Sequence, residues 1–481
     1  MNGQPSPVPP NRKTRCLEIV ALIFVGLIAL YFVYRHSLAL SIQARIDAIH
    51  HAGFPATCAE LDKWYQQPPA GENAADVYSN AFAYYQLWTN KDAQFSAPAD
   101  VTDTNKYFSP PKSKRDLLPI VGMAKLPKTE PLSAEAQKVI AEYLSDNAES
   151  LRLLHEAASM KSCRYPVDLA KGVMMSLRHL NSIRNAERLL ALAVVQSTGE
   201  KQAEQAVEAA VDALAIARSL NQEPVFISYL VGAACRGIAL ENVKRIVNTT
   251  FLTDSQLMKL ASALQESRNQ SALTRAMVGD RCIDGDIFQD LRSGKTSLGE
   301  MYSLASEDQG WPLFLIATYK VSGLLELDHR SYLDAMERFV KAAQLASPQS
   351  IDGAQAVDRG IKQLPRRRIL SRLFMPSLSL VFVQTSRSEA QFYNEQTALA
   401  VERYRLANSK LPSQLSDLVP TFLPSVPSDP FDGKPLRYKE LAKGYVVYSV
   451  GDDREDNGGT EKNSKGISYV PGTDITFAVE R

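Results

Sequence analysis

Residues 201–220 read KQAEQAVEAAVDALAIARSL. Apolar side chains return every three or four positions, at Ala203, Ala206, Val207, Ala210, Ala213, Leu214 and Ala217, so they share one helix face and leave the charges on the other. Behind this stretch, residues 224–248, 253–270 and 271–293 keep the same spacing. Ahead of it, so do residues 134–160 and 168–198. Gly199, Pro224 and Thr253 mark the breaks, and connections this short predict antiparallel neighbouring helices. Further out, residues 37–51 predict an amphipathic helix ended by Gly53 and Pro55. Thr57 is placed to cap a second helix carrying Leu61 and Trp64, with Glu60 three residues on at capping-box spacing. A third helix follows Asn73. Several prolines and weak periodicity predict a loop-rich insertion near 90–132.

The small residues carry a finer pattern. Ala206, Ala210 and Ala213 stand at i, i+4 and i+7, and Ala335, Phe339 and Ala342 repeat that spacing behind Tyr332 and ahead of Pro348. This resembles the second helix of a tetratricopeptide hairpin, where small residues let paired helices approach. No 34-residue period is sustained. The expected body, residues 35–365, is therefore mainly α, an irregular set of antiparallel helical hairpins.

Upstream stands CLEIVALIFVGLIALYFVY, residues 16–34, with Glu18 its one charge. A helix of that length rises ~28 Å, about the hydrocarbon thickness of a bilayer. Arg12, Lys13 and Arg15 precede it and Tyr31 and Tyr34 suit the interface, which favours the N-terminus inside. No A-x-A site follows, so a permanent anchor is the reading preferred over a cleaved signal. A prepilin leader would need glycine where Lys13 stands. Residues 1–15, rich in proline, are expected to form a disordered cytoplasmic tail.

Across all 481 residues the formal net charge is +1, and 45% of positions are hydrophobic. That balance excludes the basic footprint of a nucleic-acid binder and predicts a folded chain. The five cysteines lack C-x-x-C spacing. Cys235 and Cys282 suit buried free thiols, while export would allow Cys58, Cys163, Cys235 and Cys282 to form two disulfides. No H-E-x-x-H, G-x-S-x-G, Walker or G-x-G-x-x-G motif is present. His179, flanked by Arg178 and Arg184, reads as a surface or core-edge histidine before it reads as a site. Asp280, Asp284 and Asp286 could hold a cation but read first as a solvated helix end. Arg366, Arg367, Arg368 and Arg372 form a basic cluster ahead of the apolar run Phe374–Val383, within a connector at 366–385. They suit either an anionic membrane surface or a solvated lead into a buried segment.

The C-terminal residues 386–481 predict an α+β module. Its helix covers 386–408, and three short strands follow at Leu436–Tyr438, Tyr445–Val450 and Thr473–Val479. The segment Ala398–Asn408, Leu411-Pro412, Leu418-Val419-Pro420, Asp429-Pro430-Phe431, Tyr438 and Tyr448-Ser449-Val450-Gly451-Asp452-Asp453 resembles the globular part of type II secretion major pseudopilins. The resemblance covers about 90 residues. It implies a helix on a small antiparallel sheet and a C-terminal loop closed by calcium, with Asp453 and Asp474 as ligands beside backbone carbonyls. Two departures stand out. Residues 452–466 are longer and more charged, with Lys462 and Lys465 inside, and the membrane helix lies far upstream. The whole layout is similar to that of bacterial envelope proteins with one anchor, a helical body and a pilin-like tail.

Together these readings predict a single-pass protein of the bacterial inner membrane whose bulk is extracytoplasmic. Its expected partners are the membrane and another protein, with no nucleic acid, and its expected role is binding or scaffolding. An accessory role in a secretion or pilus-like system, and an enzyme with a site of unfamiliar pattern in the body, are the alternatives.

Overall fold

The computed structural model describes residues 12–88, 114–121, 132–268, 270–295, 318–460 and 472–480. The insertion expected near 90–132 lies outside them apart from 114–121, as do Lys462, Lys465 and residues 1–11 of the expected tail. Among the described residues there are fourteen α-helices and one three-stranded sheet.

The first helix, α1, runs unbroken over Arg12–His51, 40 residues. At 1.5 Å per residue it is ~60 Å long, twice a bilayer's hydrocarbon. Its first half is an apolar surface that no described residue covers, from Leu17 (76% exposed) to Val33 (66%). Its second half turns Leu38, Ile42 and Ile49 into the core. The N-terminal run is therefore a helix long and apolar enough to cross a membrane, continuous with a helix of the folded body. A second apolar stretch, Ile369–Asn408, passes the same length test but is substantially buried and belongs to the core.

Local chemistry sets the helices that follow. Thr57 Oγ1 accepts from Glu60 N (3.3 Å) and starts α2, Cys58–Trp64. The Glu60 carboxylate reaches Ala56 N (2.8 Å), one residue earlier than a capping box requires. Asn73 starts α3, Ala74–Tyr84. The stretch 134–160 is two helices, α4 (Ala134–Asp146) and α5 (Ala148–Ala158). They part at Asn147, whose buried amide exchanges hydrogen bonds with the backbone of Gln86 and also donates to Tyr143 O.

The stack then climbs through α6 (His179–Gly199), α7 (Ala203–Arg218), α8 (Phe226–Thr249) and α9 (Asp254–Ser267). Thr253 and Gln256 close a full capping box at the head of α9. α7 is the central helix, packed on α5, α6, α8 and α9. Ala206, Ala210 and Ala213 are wholly buried there, and their small size is what lets the neighbours approach. α10 (Ala272–Ser293) passes the connection that leads into α8 so closely that a Cβ on Gly279 would stand 1.7 Å from the carbonyl oxygen of Pro224. α11 (Leu324–Ala343) packs on α10 and α1, and α12 (Gln349–Lys362) on α11.

The residues expected as a connector at 366–385 are structured. They form α13 (Ile369–Phe374) and the start of α14, Ser379–Asn408, which begins ahead of residue 386. α14 packs on α8, α9 and α12 as well as on the sheet, so Phe382, Phe392 and Leu399 join one hydrophobic core with the body. The strands β1 (Arg437–Glu440), β2 (Tyr445–Ser449) and β3 (Ile475–Val479) pair antiparallel in that order, with Tyr438 opposite Val447 and Val447 opposite Phe477. The β1–β2 turn ends on Gly444 (φ +85), where a Cβ would meet Val479 O at 1.8 Å. α8 covers the free edge of β3. Asn248 donates to Ala478 O (3.1 Å) and accepts from Glu480 N (3.2 Å), which occupies backbone groups an edge strand leaves open.

Candidate functional site where the first helix joins the body

α1 leaves its exposed apolar half at Tyr31 and Tyr34, and the chain just ahead of α11 clasps it there. Tyr31 donates to Val321 O (2.7 Å) and Arg35 Nη1 to Lys320 O (2.6 Å). Gly323 (φ +78) sits against Leu38 and Tyr34, where a Cβ would be within 3.0 Å of Leu38. Arg35 Nη2 then pairs with the buried carboxylate of Glu326 (2.6 Å), which also lies 3.7 Å from Arg292. Nearly three turns onward along α1, Arg45 makes a two-pronged contact with Asp334 (2.6 and 2.9 Å).

Behind this seam lies a buried polar network. Asp328 is fully buried and accepts from the Tyr319 hydroxyl, Leu370 N (2.9 Å), Ser371 N (3.2 Å) and the Ser371 hydroxyl. It thereby fixes the head of α13 to α11. Arg368 donates to Ser331 (3.1 Å), and its pKa is lowered by burial. His329 stacks on Phe288 (4.6 Å between centroids), and Arg292 donates to its Nδ1 (3.3 Å), leaving the ring proton on Nε2. Burial, and then the Arg292 charge, push the His329 pKa down to about 3, so the ring is neutral at physiological pH. Among the described residues the network is satisfied largely by its own members. Chemically it can hold geometry where α1 joins the body.

Apart from Arg368, which belongs to the basic cluster, sequence patterning did not single these residues out. The available signal was that Asp328 and His329 fall on the stripe that Leu325, Tyr332 and Met336 place in the core of α11. A charged residue on a core stripe marks either a partner or an error.

The residues that patterning did single out lie elsewhere. His179 is inside the stack, its side chain 11% exposed, hydrogen-bonded to both oxygens of the fully buried Glu223 (3.1 Å each) and stacked on Tyr165. Ser228 also donates to Glu223. The serine bonds the carboxylate and not the imidazole, and the trio ties α6 to the head of α8. Asp280, Asp284 and Asp286 are not a helix end. They sit mid-way along α10, half-buried. Asp286 accepts from Cys58 N (2.9 Å) and anchors α2. Burial raises the pKa of Asp280 to about 7 and that of Asp284 well above its ordinary value, with the Asp280 charge adding to the latter, so burial works against two anions there. All five cysteines are free thiols; Cys58, Cys235 and Cys282 are buried.

At the C-terminus Asp474 accepts from Asn457 N (3.2 Å) and Gly459 N (2.7 Å), and Asp453 Oδ1 accepts from Glu455 N (3.1 Å). The pKa of Asp474 is raised, first by burial and last by the Asp456 and Asp453 carboxylates facing it. Among the described residues no three of His, Cys, Asp and Glu converge on one point. The two aspartates are thus near one another, but the described residues alone do not make up a calcium cage. Residues 461–471 lie outside them. No known protein family, curated protein or solved structure matches the chain.

Proposed function

We propose that the chain is a single-pass protein of the bacterial inner membrane, with its N-terminus in the cytoplasm and a helical scaffold held at fixed height outside it as a binding surface for another protein. The observation that supports this most is the unbroken α1. Its exposed apolar half suits a span, and its second half is locked into the body by Arg35–Glu326 and Arg45–Asp334. A cleaved signal sequence would have no use for that continuity, since Leu38, Ile42 and Ile49 fill the core from the same helix. The test is fractionation together with a reporter fused after Arg481. The fusion should sediment with membranes, resist carbonate extraction and be active only outside the cytoplasm. A soluble cytosolic product would overturn the reading.

A second reading, an accessory part of a secretion or pilus-like system, is favoured by α14 lying against an antiparallel sheet in the element order of a pseudopilin. A filament subunit is disfavoured because α14 is already covered by α8, α9 and α12. Calcium at Asp453 and Asp474 belongs with this second reading. Melting the chain in millimolar calcium and in chelator tests it. A rise in Tm that disappears in Asp474→Asn supports the ion, and identical curves remove it.

A further inference from the structure

Arg35 meets Glu326 and Arg45 meets Asp334, so α1 and α11 run in the same direction away from the apolar half of α1. Glu326 is level with Arg35, just past Tyr31 and Tyr34. Asp328 lies ~3 Å further along α11 and holds the amides of Leu370 and Ser371; Ser331 lies ~8 Å beyond Glu326 and accepts from Arg368. These contacts fix the segment 366–372 within about 10 Å of the level at which α1 emerges. The segment reads RRRILSR, and no acidic residue occurs between Asp358 and Glu389. Arg366, Arg367 and Arg372 are exposed, and none pairs with a carboxylate among the described residues. Arg372 spends one N–H on Leu364 O (3.1 Å). Leu373 (41%) and Val321 (63%) expose apolar surface at the same end.

We infer that this face docks on the anionic phospholipid headgroups of the membrane that α1 spans. The inference rests on the anchoring reading above. Guanidinium groups bind phosphate through paired N–H donors. The headgroup zone extends several ångströms beyond the hydrocarbon, and exposed charges act across a Debye length of about 8 Å, so the segment's height is within reach. Leu373 and Val321 supply apolar contact at the boundary between headgroups and acyl chains. Burial of Arg368 and of the α13 face through Leu370 and Ser371 leaves the other three arginines turned outward. The body is then held to the bilayer at two points, the helix and this face, which restricts its tilt.

The test is hydrogen exchange of the full chain in nanodiscs of phosphatidylcholine alone and of phosphatidylcholine mixed with phosphatidylglycerol. Peptides covering 366–374 should exchange about tenfold more slowly in the anionic discs, and high salt should remove the difference. A variant carrying Arg366→Gln, Arg367→Gln and Arg372→Gln, all at exposed positions, should enter both discs and show no difference between them. Equal exchange of the native chain in the two discs would overturn the inference. So would slowing that survives in the variant. A native chain that fails to enter either disc would instead overturn the anchoring on which the inference depends.

Discussion

Around α7 the chain buries alanine against its neighbours; where α1 meets α11 it buries charge against charge. Ala206, Ala210 and Ala213 are wholly covered by α6, α8 and α9, and packing there is a matter of shape. At the seam between α1 and α11, Glu326, Asp328, His329 and Arg368 are all nearly inaccessible and tied to named donors and acceptors. Apolar packing tolerates small slips, whereas a buried carboxylate with four donors aimed at it has one arrangement. The first region holds the fold together. The second fixes which way the fold faces relative to α1.

The comparison breaks most readily at the packed end. Gly279→Ala would drive a Cβ into the Pro224 carbonyl, and a backbone oxygen cannot rotate away. A loss of about 3 kcal/mol in urea unfolding is expected. On the same helix Gly285 has nothing within 4 Å of its missing Cβ, so Gly285→Ala should stabilise by about 0.5–1 kcal/mol. Equal effects at the two glycines would mean that α10 does not pack on the connection ahead of α8 as described.

At the polar end Asp328→Asn keeps the shape and removes the charge that four donors face. A loss of about 2 kcal/mol is expected, with earlier proteolysis near α13 than elsewhere. A variant as stable as the native chain would show that the network is incidental.

One residue crosses the contrast. Glu187 lies in the packed end, is wholly buried and has no hydrogen-bond partner on either oxygen among the described residues. Burial raises its pKa well above the ordinary 4.5, so it is held neutral in the fold. The folded state therefore keeps a proton that the unfolded chain releases. That contribution to stability is full below about pH 4.5 and is lost as pH rises through the folded value. Glu187→Gln removes the titration and should raise stability at neutral pH by on the order of 1 kcal/mol. Unfolding curves at acid and neutral pH check this, and a variant with the native pH slope would contradict it.

The smallest effect belongs to the rim of the seam. Asp334 is half-exposed, and Asp334→Ala should cost no more than about 0.5 kcal/mol.

The sequence was most informative where the structure is most local. Periodicity marked α6 to α10, the apolar run of α1 and the alternation of β3, because each depends only on which side chains share a face. It missed the break at Asn147, which exists because Gln86, distant in sequence, bonds that amide. It treated residues 366–385 as a connector, because α13 and the first turns of α14 are short or capped only by tertiary contacts, Asp328 and Asp358 among them. The aspartates of α10 looked solvated because composition cannot register that α11 covers them. Asp453 and Asp474 came only from the pseudopilin resemblance, and residues 461–471 between them lie outside the described ones.

The central claim is that α1 is one rigid helix from the bilayer into the body. Spin labels at Leu22 and Asp47, both on exposed positions and introduced with Cys16→Ser, report on it by dipolar distance measurement in nanodiscs. An unbroken helix places the two backbones ~38 Å apart, with a narrow distribution. A broad distribution, or one centred well below that distance, would mean a hinge between span and body and would contradict the account.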